Sequence, residues 1–192
     1  MRTRTGTVQR IMAVAQELVQ SKGYNGFSFH DIARKLGIKS ASVHYYYPAK
    51  SDLGKSLMQH YRQYFINELN QVDAISKSSM DKLDSFTQLF LNTLESDNRM
   101  CLCGMFASDI TTMPEEIQEE VRLFFTECET WLTVTLRAGQ QSGEIDNNNQ
   151  PEDLARFVFA SLEGAMLSAR TFADAERFKS ITDRVISTIK RT

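Results

Sequence analysis

Proline is rare in this chain, and its positions constrain the fold more than any other feature. The 192 residues contain three prolines, Pro48, Pro114 and Pro151. Each lies where a helix would begin, a position that tolerates proline because its missing N–H would have no partner there. Elsewhere apolar side chains recur at i, i+3, i+4 and i+7, as they do in residues 11–18. This spacing predicts an all-α fold of about nine helices.

Two short helices are predicted near the end of the first quarter. Ser28 begins the first of them, with Asp31 three residues on as a capping-box partner, and Gly37 ends it. Residues 40–46 form the second. Two short helices joined by a tight turn that contains glycine are typical of a helix-turn-helix. A three-helix packing unit that does not bind DNA has the same spacing, so spacing alone leaves both interpretations open.

Charge is divided unevenly along the chain. The first 50 residues contain eight Lys and Arg against two acidic residues, a net charge of +6. The remaining residues contain 14 basic and 22 acidic side chains, a net charge of −8. A basic head on an acidic body indicates a polyanion-binding module. We therefore expect a helix-turn-helix domain over residues 1–49 and a second helical domain over residues 50–192, which meet at the start of a long helix.

Composition argues against several classes of protein. The polar, basic N-terminus and the absence of a run of 18 apolar residues predict neither secretion nor a membrane span, and hence a cytoplasmic protein. An odd number of cysteines, at positions 101, 103 and 128, fits a reducing compartment rather than a disulfide framework. No converging nucleophile, base and orienting group occurs, so we expect no enzyme activity. We also expect no cofactor.

Residues 23–53, GYNGFSFHDIARKLGIKSASVHYYYPAKSDL, carry the resemblance to a known family. Its specific features are Ser28, Asp31-Ile32-Ala33, Gly37, the aromatic residues at 44–47, and Lys50. The chain resembles a TetR/AcrR-family transcriptional regulator, with the specific match over residues 8–57. The resemblance implies a dimeric DNA-binding regulator, most often a repressor, which a small molecule or cysteine modification releases from a pseudo-palindromic operator. The alternative is a helical protein-interaction adaptor without sequence-specific DNA binding.

The resemblance also implies roles for individual side chains. It places helix 40–46 in the major groove of double-stranded DNA. Base edges would face His30, Ser40, Ala41 and His44, and phosphates would accept hydrogen bonds from Ser28, Ser42, Tyr45, Tyr46 and Lys50. Lys39 completes the predicted DNA-binding set but stands where the family usually has a Ser or Thr cap. Ser40 is an alternative cap, which would shift the start of the helix by one residue.

Some of these positions depart from the family pattern or admit a second explanation. His44 stands where the family usually has tyrosine. This difference leaves open which base is preferred, but it does not affect the expectation that the helix binds in the groove. His30 and His44 are also explained as solvated histidines. Tyr47 takes the family's inward-facing aromatic position, and we expect it to pack against the helix that Ser28 begins.

An aromatic excess in the second domain predicts an effector pocket. In a family of ligand-responsive regulators, some of these side chains should line a cavity between helices. The predicted set is Tyr61, Phe65, Phe86, Phe90, Met105, Phe106, Phe125 and Trp131. Taken one at a time, each is equally typical of core packing.

The penultimate helix predicts a dimer interface. Residues 157–169, FVFASLEGAMLSA, hold one charged side chain, Glu163, and a helix that is apolar nearly all round is buried on more than one side. The resemblance implies that the last two helices pair with their copies in a four-helix interface. The predicted interface residues are Val158, Ser161, Gly164, Ala165, Ser168, Ile181 and Val185. Glu163 itself fits a polar ligand, a partner chain, or an ion pair with Arg156 or Arg170.

The cysteines offer a second means of sensing. Cys101 and Cys103 flank a predicted short helix over residues 104–110. We expect Arg99 and the start of that helix to lower a thiol pKa, so that one cysteine senses oxidants or electrophiles. The alternative is small hydrophobic packing. A soft metal bound by these thiols with Cys128 is a third option, although no histidine supports it.

Overall fold

The computed structural model describes residues 4–191, and the regular elements in that range are helices. The helices are α1 (Arg4–Lys22), α2 (Phe29–Leu36), α3 (Ser40–Tyr46), α4 (Lys50–Ile75), α5 (Ser79–Glu95), α6 (Leu102–Ser108), α7 (Glu115–Ser142), α8 (Pro151–Phe172) and α9 (Ala175–Ile189). A 3-10 turn covers Ile110–Thr112. Within the described range, the sole β pairing is an isolated antiparallel bridge between Ile145 and Lys190. The predicted all-α fold of nine helices is confirmed.

Local signals set the boundaries of the first two helices. Gly23 ends α1 with a φ of 82°, a left-handed conformation that glycine adopts without a steric penalty. Ser28 is the N-cap of α2, and its backbone N–H donates to Asp31 Oδ2 at 2.8 Å. Gly37 follows α2 with a φ of 63°, and its N–H donates to the carbonyl of Arg34. The chain therefore turns sharply on both sides of α2, as the sequence predicted.

The predicted start of α3 is confirmed, whereas the predicted start of α6 is wrong by two residues. α3 begins at Ser40, and Lys39 is its N-cap residue, so the shift that a Ser40 cap would have caused does not occur. The extended backbone of Lys39 suffices, because its carbonyl accepts a hydrogen bond from the Ser42 N–H. α6 begins at Leu102 rather than at Gly104, which places Cys103 inside the helix. Burial of Leu102 and Phe106 outweighs the helix-breaking tendency of the glycine.

The described residues form two compact units. Within the described residues, unit 1 comprises 4–63 and Leu102–Arg122, and unit 2 comprises Tyr64–Cys101 and 123–191. Two of the three unit boundaries fall inside α4 and α7, and the third lies directly before α6. No helix in the described range is long and apolar enough to cross a membrane.

Unit 1 packs around Tyr24 and Gly54. The Tyr24 ring lies 5.1 Å from the ring of Phe106, centroid to centroid. A Cβ added at Gly54 would lie 2.8 Å from Ile117 Cδ1 and 2.9 Å from Tyr24 Cε2. Glycine is therefore required at position 54, because α4 approaches α7 and Tyr24 too closely for a side chain.

Unit 2 has an aromatic core. Successive ring contacts join seven side chains, with centroid separations between 4.9 and 6.3 Å. We call this set the aromatic cluster: Phe65, Phe86, Phe90, Phe124, Phe125, Trp131 and Phe159. It joins α4, α5, α7 and α8, because each of these helices contributes at least one ring.

Candidate functional sites

The predicted DNA-binding side chains lie on α2, α3 and the residues that flank them. Ser28, His30, Lys39, Ala41, His44 and Tyr45 are exposed, and Ser40, Ser42 and Tyr46 are half-buried. We call these nine residues the recognition surface. Since all belong to unit 1, the helix-turn-helix presents them together.

Two buried side chains fix the orientation of α3. Val43 is fully buried and Tyr47 is 8% exposed, whereas Tyr45 is 72% exposed. Residues 43 and 47 are four apart and lie on the same face of the chain, so burying them turns Tyr45 outward. Burial also raises the pKa of Tyr47, as expected for a phenol that faces the core. The inward role predicted for Tyr47 agrees with its burial.

Ring contacts hold the exposed aromatic side chains. The imidazole of His44 meets the ring of Phe29 edge to face, with 4.7 Å between centroids. The rings of Tyr45 and Tyr46 meet in the same way at 5.1 Å. Such contacts stabilise by about 0.5–1.5 kcal/mol beyond burial. They limit the rotamers of His44, Tyr45 and Tyr46 before any DNA is bound.

Lys50 occupies a different place from the rest of the predicted set. Its Nζ donates to the carbonyls of Tyr24 and Phe27, at 2.6 and 2.5 Å, and lies over both of their rings. Desolvation lowers the pKa of this amine. Lys50 thus ties the start of α4 to the segment between α1 and α2. This role of Lys50 was not predicted, because Tyr24 and Phe27 lie more than 20 residues away along the chain.

The structure brings five of the eight predicted effector-binding residues together. Phe65, Phe86, Phe90, Phe125 and Trp131 belong to the aromatic cluster of unit 2. Tyr61, Met105 and Phe106 belong to unit 1. Phe159 was outside the predicted set, although its ring meets those of Phe86, Phe90, Phe124 and Phe125. The i, i+3 spacing of Phe159 to Leu162 was the available signal.

The predicted dimer residues divide between the core and the surface of α8 and α9. Val158, Ala165 and Val185 are buried within the protomer itself. Ser161, Ser168 and Ile181 are half-buried, and Gly164 is exposed. A Cβ added at Gly164 would meet no atom within 4 Å.

The exposed face of α8 contains apolar residues outside the predicted dimer set. Phe157 is 44% and Leu167 60% exposed. With three further exposed residues they form what we call the α8 stripe: Phe157, Ala160, Gly164, Leu167 and Thr171. Their separations of three and four residues alternate, which is the spacing of a helix that packs along another helix.

The three cysteines are buried, and Arg99, the cation expected to activate a thiol, pairs with a carboxylate. Cys101, Cys103 and Cys128 are each at most 1% exposed. The Arg99 guanidinium pairs with Asp97 at 3.2 Å. The Cys103 sulfur lies 4.0 Å from the Met58 sulfur. Burial raises the pKa of Cys128 well above the ordinary value of a thiol.

Glu163 interacts with a cysteine in unit 2. Arg156, one of its expected partners, instead contacts Asp153 at 3.3 Å and Glu129 at 3.9 Å. The Glu163 carboxyl hydrogen-bonds with the side chain of Cys101, and its Oε1 is buried without a hydrogen-bond partner. Burial raises the pKa of this carboxyl well above its ordinary value. Among residues 4–191, no group of three His, Cys, Asp or Glu side chains is arranged to hold a metal ion.

Both parts of the chain are similar to known protein families. Residues 11–57 match the family described as bacterial regulatory proteins, tetR family. Residues 79–185 match the tetracyclin repressor-like C-terminal domain. The transcriptional regulator AcuR of Cereibacter sphaeroides is 25% identical over 84% of this chain and 75% of its own length.

Solved structures share the fold over nearly the whole chain. A TetR-family transcriptional regulator from Agrobacterium tumefaciens is 30% identical, with a TM-score of 0.94 over 98% of this chain and 100% of that one. A TetR transcriptional regulator from Legionella pneumophila is 34% identical, with a TM-score of 0.87 over 99% of each chain. These relatives are transcriptional regulators rather than enzymes. The chain belongs to the TetR family of DNA-binding, helix-turn-helix transcriptional regulators.

Proposed function

We propose that the protein is a homodimeric repressor that binds a pseudo-palindromic operator through its recognition surface. An effector or a thiol reagent that acts on the second domain, residues 50–192, would release the repressor from the operator. The observation that carries the DNA-binding half is the arrangement of α3. Val43 and Tyr47 anchor it, and His44 and Tyr45 face solvent. A helix held in this way offers one face to the major groove.

The recognition surface separates into two kinds of contact. His30, Ser40, Ala41 and His44 are assigned to base edges, where they would read sequence. Ser28, Ser42, Tyr45, Tyr46 and the exposed Lys39 are assigned to phosphates, where they would fix position without reading sequence. Lys50 is the weakest member of the set, because the carbonyls of Tyr24 and Phe27 already accept two of its three N–H groups.

A matched pair of tyrosine substitutions tests the phosphate contacts. Hydrogen bonds to charged groups contribute about 1.5–3 kcal/mol, so Tyr45→Phe should weaken operator binding at least about tenfold. Tyr64 is 52% exposed in unit 2, and Tyr64→Phe is the control that should leave affinity unchanged. The operator is first located by footprinting DNA that flanks the protein's own gene, with and without reductant. Equal affinities for the two variants would contradict the assignment of Tyr45.

Salt dependence distinguishes DNA recognition from an adaptor function. A phosphate clamp releases counterions, so affinity should fall steeply as salt rises. The basic head of the chain, with its net charge of +6, is the source of this dependence. Operator binding that is insensitive to salt would favour the helical adaptor.

The α8 stripe supports the dimer. It is apolar, exposed and centred on Gly164, where nothing in the protomer occupies the space of a side chain. A second copy related by two-fold symmetry would cover the same stripe on both chains. The predicted half-buried residues Ser161, Ser168 and Ile181 would then lie beside it. Two recognition surfaces in such a dimer would fit half-sites about 34–36 Å apart.

The aromatic cluster supports an effector site in the second domain. Its rings would enclose an apolar small molecule. The long helix α4 contributes Phe65 to the cluster and begins at Lys50, which holds the segment between α1 and α2. A shift of α4 on effector binding would therefore move that segment. Substituting Trp131 by Ala should reduce effector-induced release from DNA while leaving operator affinity without effector unchanged.

The same response is proposed for modification of Cys101 or Cys103. Their burial argues for a reagent that enters the protein rather than for a surface thiolate. Cys101→Ser and Cys103→Ser test the proposal separately. DNA release by an electrophile that persists in both variants would rule out a thiol response.

A further inference from the structure

We propose that the groove between α5 and α9 is a second small-molecule site, which binds an organic ammonium ion with an apolar tail. The groove has a volume of about 250 Å³ and lies within unit 2. Its walls include Asp84, Thr87 and Leu91 of α5 and Phe178, Asp183 and Ile186 of α9. None of these residues belongs to the aromatic cluster or to the α8 stripe. The inference therefore goes beyond the proposed function and does not depend on it.

α5 presents different faces to the aromatic cluster and to the groove. Phe86 and Phe90 contribute their rings to the cluster, whereas Thr87 and Leu91, each one position further along the chain, line the groove. One residue turns an α-helix by about 100°, so the two pairs point in different directions. A ligand in the groove would contact α5 and α9 without entering the aromatic cluster.

Thr87 supplies a polar group that lacks a hydrogen bond. Its hydroxyl oxygen has almost no exposed surface and no hydrogen-bond partner. Other helical threonines donate to the carbonyl four residues earlier, as Thr93 does to Leu89 at 3.1 Å. Threonine has two accessible χ1 rotamers in a helix, so the Thr87 hydroxyl can turn toward a ligand. A buried hydroxyl without a partner is costly, and a hydrogen bond with a ligand would relieve that cost.

Two carboxylates at the groove favour a positively charged ligand. Asp84 and Asp183 line it from opposite helices, and neither forms an ion pair within residues 4–191. Burial raises the pKa of Asp84, the charges of Asp81 and Asp183 raise it further, and Lys190 acts in the opposite direction. A cation bound between Asp84 and Asp183 would relieve their mutual repulsion.

The apolar wall of the groove favours an organic cation over a hydrated metal ion. Leu91 and Phe178 are buried, and Ile186 is half-buried. A hydrocarbon tail that covers these side chains would remove apolar surface from water on both partners. At about 30 Å³ per water, the groove has room for about eight waters. This size suits hexylammonium, which has about as many non-hydrogen atoms.

Lys179 limits the ligand to a single positive charge. It pairs with Glu95 at 3.7 Å and with Glu176 at 2.8 Å. Glu95 lies three helical turns beyond Asp84 on α5, so Lys179 and Asp84 mark opposite ends of the groove. The Lys179 ammonium group would repel a second cationic group at its end. A monoamine is therefore favoured over a diamine of similar length.

Calorimetric titration of the full-length protein with hexylammonium chloride tests the inference. The dissociation constant should be below about 1 mM, and 1-hexanol, the uncharged analogue, should bind at least about tenfold more weakly. In NMR spectra, the Ile186 δ1-methyl signal should shift on binding, whereas that of Ile75, an exposed residue of α4 in unit 2, should not. Equal affinities for the two probes, or an unchanged Ile186 signal, would overturn the inference.

Asp84→Asn and Asp183→Asn remove one carboxylate each and keep the shape of the side chain. Each should weaken hexylammonium binding at least about threefold and leave 1-hexanol binding unchanged. Asp153→Asn is the matched control, because it removes the same charge from an exposed position of α8 outside the groove. An equal loss of affinity in Asp153→Asn would assign the effect to overall charge, and the groove would not be the site.

Thr87→Val replaces the unpaired hydroxyl by a methyl group of similar size. Without ligand, the midpoint of thermal unfolding should rise, because an unsatisfied polar group is removed. Hexylammonium binding should nevertheless weaken at least about threefold. Thr93→Val is the control, since the Thr93 hydroxyl already has a partner, and its affinity for hexylammonium should not change. Unchanged affinity in Thr87→Val would refute the hydrogen bond from which the inference starts.

Trp131→Ala separates this site from the effector site of the proposed function. Trp131 belongs to the aromatic cluster, so its removal should leave hexylammonium affinity unchanged. Loss of binding in Trp131→Ala, with full affinity retained in Asp84→Asn, would place hexylammonium in the aromatic cluster and overturn the groove as its site. Operator binding is not a readout of these titrations, so their failure would leave the proposed function standing.

Discussion

Adding one methyl group at Gly164 should stabilise the protomer and weaken the dimer. The glycine lies inside α8, and a Cβ at this position would meet no atom of its own chain within 4 Å. Alanine at an open helical position is more favourable than glycine by about 0.5–1 kcal/mol. Within the protomer, Gly164→Ala should therefore raise the free energy of unfolding by about that amount.

The proposed dimer should respond in the opposite direction, because two-fold symmetry would bring the α8 stripe of both chains together. An extra methyl in a tightly packed contact costs about 1–3 kcal/mol, and two-fold symmetry introduces it twice. The proposed dimer should lose about 2–6 kcal/mol, which corresponds to a dissociation constant at least about thirtyfold higher. Sedimentation equilibrium over a range of concentrations measures this constant, and denaturation of the monomer at low concentration measures stability.

Ala13→Leu is the control, since Ala13 is an exposed residue of α1 in unit 1. It adds apolar bulk to a helix surface outside the α8 stripe and should leave the dissociation constant unchanged. If Gly164→Ala stabilises the protomer and dimerises as tightly as the wild-type protein, then Gly164 does not lie in a close helix contact. This result would rule out an interface in which two α8 helices pack against each other at Gly164.

Three further substitutions probe unit 1. Gly26→Ala would place a Cβ 2.2 Å from the Lys22 carbonyl oxygen, so the free energy of unfolding in urea should fall by more than about 2 kcal/mol. Lys50→Met removes the donor to the Tyr24 and Phe27 carbonyls, so the free energy of unfolding should fall by about 1–3 kcal/mol. An unchanged free energy of unfolding would show that Lys50 is free to bind phosphate. Burial raises the pKa of Tyr24 from 10.0 to about 12. The contribution of Tyr24 to the free energy of unfolding should therefore be fully present below pH 10 and decline between pH 10 and 12. In urea titrations at pH 9 and pH 11, Tyr24→Phe should show a smaller decline.

The sign of the Tyr24 effect follows from proton binding. A tyrosine with a raised pKa in the folded state holds its proton where the unfolded chain has lost it. The folded state therefore binds more protons between pH 10 and 12, and stability falls as pH rises through that window. A decline of the same size in Tyr24→Phe would assign it to other groups.

Much of the helix-turn-helix could be predicted because its signals are local. Ser28 with Asp31, and Gly37 with its positive φ, act within three or four residues of the helix ends that they define. The start of α6 was predicted wrongly because that prediction also used only local signals. Glycine at 104 has a local preference against helix, but the burial of Leu102 and Phe106, which no local pattern reports, outweighs it.

The candidate sites depend on contacts between residues distant in sequence, and these could be predicted only in part. Lys50 matched a family position for phosphate binding, yet its nearest acceptors are carbonyls 23 and 26 residues earlier. The seven rings of the aromatic cluster come from four helices, and only their apolar spacing was visible beforehand. The cysteines were predicted as activated thiols from neighbouring residues in the chain, but Arg99 pairs with Asp97 and the thiols are buried.

By itself, the sequence determined the all-α class, most helix boundaries and the family, because periodicity, caps and short motifs are properties of consecutive residues. The tertiary structure decided which faces of those helices are buried. It turned Tyr45 outward and Tyr47 inward, left the α8 stripe exposed, and brought Glu163 to Cys101 across 62 positions of the chain. Burial and pairing of this kind arise only when separate helices pack, and they set the chemistry of each site.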